Sequence, residues 1–98
     1  MIYDCGRQIV TTVGTPVQLS SDMTVWDRID IQVLFGNTGY VVVFPASKIR
    51  ASSGSQNGLL FGVGSNLERK IYSNIRLFDL WVDATVANEG VAFECQRA

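Results

Sequence analysis

The chain contains no histidine. That removes the commonest general base, the Ser–His and Cys–His nucleophile pairs, and most zinc and iron ligand sets. Charge is scarce as well: 17% of the 98 residues are charged, eight basic against nine acidic, for a net charge of −1. A globular domain usually carries about a quarter. With so little polar surface to spare, some apolar surface is expected to face a partner rather than water. The signs also interleave: Arg28 lies next to Asp27 and near Asp30, and Arg69 and Lys70 follow Glu68. No basic stripe is available to displace counterions, so nucleic acid is not an expected partner. No apolar run approaches the roughly eighteen residues that would span a bilayer. The first ten residues carry Asp4 and Arg7 and do not read as a secretory signal, so the expectation is a chain that starts at Met1 and stays in the cytoplasm of its producer. Only two cysteines occur, Cys5 and Cys95. A bridge between them would close nearly the whole chain, for ~4 kcal/mol in the loop-entropy model, whereas a cytosolic origin favours free thiols. The pairing stays open.

Helix signals are nearly missing, because Gly or β-branched runs interrupt every apolar stripe of helical spacing. What is present is strand. Hydrophobic residues make up 47% of the chain, in short Val-, Ile-, Tyr- and Phe-rich runs separated by Gly, Asn, Ser and Asp clusters. This rhythm predicts an all-β domain: one two-sheet antiparallel β-sandwich over residues 1–98, jelly-roll-like, with about eight strands. Val25 to Phe35 is the clearest strand, with Ile29, Ile31, Val33 and Phe35 on one face and Arg28, Asp30, Gln32 and Leu34 on the other. Gly36-Asn37-Thr38-Gly39 then reads as a tight hairpin connection. Tyr40 to Phe44 is apolar on both faces, so it is either covered twice or turns one side to another subunit. Residues 51–58 read as a polar loop, Ile75 to Asp79 as a single helical turn, and Leu80 to Thr85 and Gly90 to Cys95 as the closing strands.

Few residues suggest chemistry. Asp27 with Asp30, and Asp79 with Asp83, read as ordinary surface acids rather than a catalytic pair. Asp83, Asn88 and Glu89 could approach a calcium ion, but the spacing of an EF-hand loop is missing. Gly62-Val63-Gly64 lacks a third glycine and a following helix, so it reads as a turn. No catalytic, cofactor or metal site is expected. Trp26, Trp81 and Tyr40 allow three readings: core packing, protein contact, or a sugar-stacking platform.

Three segments carry a resemblance. They are Gly14-Thr15-Pro16-Val17-Gln18-Leu19-Ser20, then Ile29-Asp30-Ile31-Gln32 with Gly36-Asn37-Thr38-Gly39-Tyr40-Val41, and finally Trp81-Val82-Asp83-Ala84-Thr85-Val86 with Asn88-Glu89-Gly90-Val91. In this order, over about residues 8 to 95, the chain resembles a family of small structural proteins of tailed-phage virions, the capsid cement or decoration proteins. It departs from the pattern in Trp81, where Tyr is usual, and in the apolar Ile75-Arg76-Leu77-Phe78. The resemblance implies a non-enzymatic virion protein on the capsid surface, made in the host cytoplasm. It would bind the major capsid protein as a dimer or trimer, without nucleic acid, membrane, cofactor or small-molecule substrate. The alternative is a fibre or tail-appendage module that binds carbohydrate or a receptor. Trp26, Tyr40, Val41, Val43, Ile75, Leu77, Phe78 and Trp81 are the candidate protein-contact residues. On this reading Val43→Asp weakens assembly without unfolding the domain.

Overall fold

The alternation of Val25 to Val33 is what the fold is built around. A computed structural model describes residues 2–44, 51, 60–61 and 69–98. Its elements are β1 (Ile2–Val10), β2 (Val17–Gln18), β3 (Val25–Val33), β4 (Val41–Phe44), β5 (Leu60–Phe61), β6 (Arg69–Arg76), a 3₁₀ turn (Leu77–Asp79), β7 (Trp81–Ala84) and β8 (Glu89–Arg97). They form two four-stranded antiparallel sheets, in the orders β1-β8-β3-β6 and β2-β7-β4-β5. The helical turn expected near Ile75 to Asp79 is the 3₁₀ turn.

Strands early in the chain pair with strands late in it. β1 pairs with β8, β2 with β7, β3 with β6 and β4 with β5. The offset is kept from the first sheet into the second. Val10 faces Glu89 and Val17 faces Val82, so seven steps forward on one leg match seven steps back on the other. The chain behaves as one long hairpin folded over on itself.

Between the sheets lies one core. Val10, Trp26, Ile29, Ile31, Val33, Val91 and Cys95 come from the first sheet, and Val41, Val43, Val82 and Ala84 from the second. Leu19, Leu77 and Leu80 close one end of it. Burying a Val or Ile side chain contributes about 1.5–3 kcal/mol, so this cluster is what holds the sheets together.

Three details depart from the strand reading. Gly36 to Gly39 is not a hairpin, because β3 and β4 lie in different sheets. The tight turn is Leu34 to Asn37, where the Asn37 amide donates to the Leu34 carbonyl and Gly36 takes φ +96. Phe35 lies past the end of β3, so this turn leaves it 91% exposed rather than on the core face. Trp26 and Ile29 are both buried although strict alternation would separate them. The β3–β6 ladder skips the pair Asp27 and Asn74, and Asn74 has φ 55. That local rotation brings both side chains inward, and the Trp26 ring N–H is satisfied by Asp22 Oδ2 at 3.2 Å. For β4 the first of the two alternatives holds, and it is covered on both faces: Val41 and Val43 face the core, and Val42 is buried against Ala51 and Trp81. Most of the polar loop expected at 51–58, and the turn at 62–66, lie outside the described residues.

Candidate functional site

Glu89 opens β8 and is 9% exposed. A carboxylate that deep needs donors, and the loop after β3 supplies them. Glu89 Oε2 accepts the Thr38 amide at 2.7 Å and the Thr38 hydroxyl at 2.9 Å, and Oε1 accepts the Gly39 amide at 2.8 Å. Beside it, Asn37 Nδ2 donates to the Gly90 carbonyl at 2.9 Å, and the Leu34 amide donates to the same oxygen at 3.2 Å. The Thr85 amide donates to the Tyr40 carbonyl, and the Tyr40 amide to Thr85 Oγ1. The loop from Leu34 to Tyr40 and the turn from Thr85 to Gly90 are therefore one interlocked unit at one end of the sandwich. A side chain at Gly39 would meet Thr85 Oγ1 and Val86 Cγ2, so the close approach requires glycine. The unit leaves Phe35, Tyr40 and Val86 exposed.

Burial pushes the Glu89 carboxyl up, but the hydrogen bonds from Gly39 and Thr38 outweigh it and leave the group below its ordinary value. A depressed carboxyl stabilises the fold at neutral pH and loses that contribution as pH falls through its folded value. Glu89→Gln is therefore expected to cost about 1–2 kcal/mol at pH 7, by weakening charge-assisted hydrogen bonds. The difference from wild type should shrink below about pH 4, where an unshifted glutamate also protonates. Urea denaturation of both proteins at pH 7 and pH 3 checks this, and an equal difference at both pH values counts against the interlock.

A second buried carboxylate lies on β7. Asp83 Oδ1 accepts the Gly14 amide at 3.1 Å and Oδ2 accepts the Ala51 amide at 2.8 Å. It ties the β1–β2 connection and Ala51 to the second sheet. Asp83 and Glu89 thus serve different loops, and Asp79 is held by Arg76 at 2.8 and 2.9 Å. The acids singled out from the sequence do not converge on a common point. Among the described residues no three His, Cys, Asp or Glu side chains gather as a metal site would require.

The outer face of the first sheet carries an open depression of about 490 Å³, lined by Cys5, Arg7, Asp30, Gln32, Arg69 and Glu94 among others. Its charges interleave, and Arg28 pairs with Asp30 at 2.9 Å. Cys5 and Cys95 are free thiols. Cys5 lies opposite Glu94, whereas Cys95 lies opposite Asp4, so alternation turns the two thiols to different faces of the sheet.

The eight contact candidates separate sharply. Val41 and Val43 are fully buried, Leu77 is 1% exposed and Trp26 is 4% exposed. These four are interior residues of the core and offer no surface to a neighbour. Ile75 packs partly buried against the core, and Trp81 packs on Val42 and Ala51. Only Tyr40 and Phe78 of the set are exposed. The interlock itself escaped the sequence reading, although both of its halves lie in the segments that carry the phage resemblance. No protein-family model, curated protein or solved structure matches the chain.

Proposed function

We propose that the protein is a capsid decoration protein, which adds buried area at junctions of the major capsid protein and so stabilises the head shell. The observation that carries this is the interlock. Two segments of the phage resemblance, Gly36-Asn37-Thr38-Gly39 and Asn88-Glu89-Gly90-Val91, hydrogen-bond to one another through Glu89 and Asn37. A likeness confined to generic turns gives no reason for such mutual dependence. The strand order adds support, since a hairpin whose four successive pairs alternate between two sheets is how a jelly roll is wound.

In this reading the end that bears Phe35, Tyr40 and Val86 meets the shell. Repetition over many sites would turn a modest affinity into firm occupancy. Phe35→Asp tests it. Phe35 is nine-tenths exposed, so stability should change by less than about 0.5 kcal/mol, while occupancy on particles falls. Copy number per virion, by quantitative mass spectrometry, decides the class. Hundreds of copies per particle support the shell, and a few dozen assign the chain to a fibre or appendage. Absence from virions would overturn both. The appendage alternative gains no sugar platform from the tryptophans, since Trp26 is in the core and Trp81 packs on Val42 and Ala51.

A further inference from the structure

Among the described residues the two sheets present four edges, and three of them are blunted. β2 is two residues long, and β5 spans two described residues. β6 carries Arg69, Lys70 and the positive-φ Asn74. Short strands, basic residues and backbone irregularities are how soluble proteins keep an edge from pairing. β1 is long and regular, with Arg7 as its one basic residue. It runs nine residues in unbroken register with β8, without proline, lysine or bulge. Ile2 to Arg7 are exposed on both faces, with Tyr3 at 63%. In an antiparallel ladder alternate residues turn their N–H and C=O toward the neighbour and the others turn away. The Cys5 and Ile9 amides donate to the side chains of Asp4 and Gln8 rather than to a strand. Tyr3, Cys5, Arg7 and Ile9 therefore present their peptide groups to the free edge.

We propose that β1 pairs antiparallel with β1 of a second copy about a two-fold axis at Cys5, joining the two β1-β8-β3-β6 sheets into one eight-stranded sheet. The register follows from symmetry and charge. An axis normal to the sheet keeps both cores on one side, so facing residues share a face and the axis passes through a residue. At Asp4 or Arg7 it would oppose like charges, which is destabilising. At Gly6 it would carry the second copy to Val10, which is already buried. At Cys5 the contact stays on the exposed stretch: Tyr3 faces Arg7 of the second copy, as a cation–π pair, and Ile2 faces Gln8. A second copy is the fitting occupant because the strand complements itself.

The pairing stands on this edge and not on the virion reading, so a monomeric chain would overturn it and leave shell binding to its own test. Sedimentation velocity from micromolar to millimolar concentration should show a concentration-dependent dimer. A short bismaleimide should link it through Cys5, because Cys95 is buried and its thiol is pushed up to about 12 by that burial. Arg7→Pro removes an amide that faces the free edge, so the β1–β8 ladder survives. It should weaken dimerisation at least about tenfold with an unchanged near-ultraviolet circular dichroism spectrum. Cys5→Lys is a second variant, which charges the edge without touching the backbone. Three results would overturn the proposal: a monomer at every concentration, a dimer that neither variant weakens, or a dimer that fails to cross-link at Cys5. A dimer that links through Cys5 and dissociates in either variant supports it.

Discussion

Val43→Asp should unfold the domain. Val43 is fully buried in the centre of β4, directly opposite the equally buried Val82. Losing its burial removes about 1.5–3 kcal/mol. The new carboxylate would lie among Val41, Val82 and the β3 and β8 side chains of the core, where the Tyr72 hydroxyl already donates to the Val43 carbonyl. An unpaired buried charge costs several kcal/mol more, whether it stays ionised or takes up a proton. The sum exceeds about 4 kcal/mol, against a total stability on the order of 5–15 kcal/mol for a domain this size. Loss of near-ultraviolet circular dichroism and of a cooperative melt at neutral pH is the expected result. Phe44→Asp is the control. The adjacent side chain is exposed, so this charge can remain in water and the melt should survive. A folded Val43→Asp protein with altered assembly would mean that β4 turns the other way. That outcome matches the expectation drawn from the sequence alone, and the observed burial reverses it.

That reversal shows where pattern reading stops. Alternation located β3 and the inward set Ile29, Ile31 and Val33, because its two faces differ in polarity. In β4 both faces are apolar, so period two separates them without saying which one is the core. The cover over Val42 comes from Trp81 and Ala51, on other segments. The glycines and asparagine of Gly36 to Gly39 marked a change of direction correctly. Turn residues do not say which sheet the next strand joins, however. Glu89, fifty residues away from Gly39, contributes to that choice. Of the three readings open for Trp26 the core one holds, and the rotation that buries it sits at Asn74, on the facing strand. Among the acids, ligand spacing gave no hint that Asp83 and Glu89 hold backbone amides, because the amides come from loops distant in sequence.

Among the described glycines, Gly90→Ala is expected to be the most damaging addition of a single methyl group. Gly90 faces Ile9 at the start of β8, and a Cβ built there runs into the Gln8 carbonyl oxygen of β1. That neighbour is main chain and cannot rotate away, so one of the two strands must move. Movement of β8 is not free either. The Gly90 carbonyl accepts both the Leu34 amide and the Asn37 side chain, and Glu89 next to it holds Thr38 and Gly39. Relieving the overlap on the β1 side therefore pulls the interlock apart on the other side. The cost should reach about 3 kcal/mol, the upper end of the usual overpacking range. At about 4–8 °C per kcal/mol for a domain this small, the melting temperature should fall by roughly 12–24 °C. Gly36→Ala separates backbone preference from crowding. Gly36 has φ +96 and no neighbour within 4 Å, so alanine there should cost only about 1 kcal/mol. Comparable melting temperatures for the two variants would show that β1 and β8 can part at this point without loss, and that the contact between Gln8 and Gly90 does not set the register. A large gap between them, with Gly90→Ala also losing the pH-dependent contribution of Glu89, would show that the first crossing of the long hairpin and the loop clamp are stabilised together.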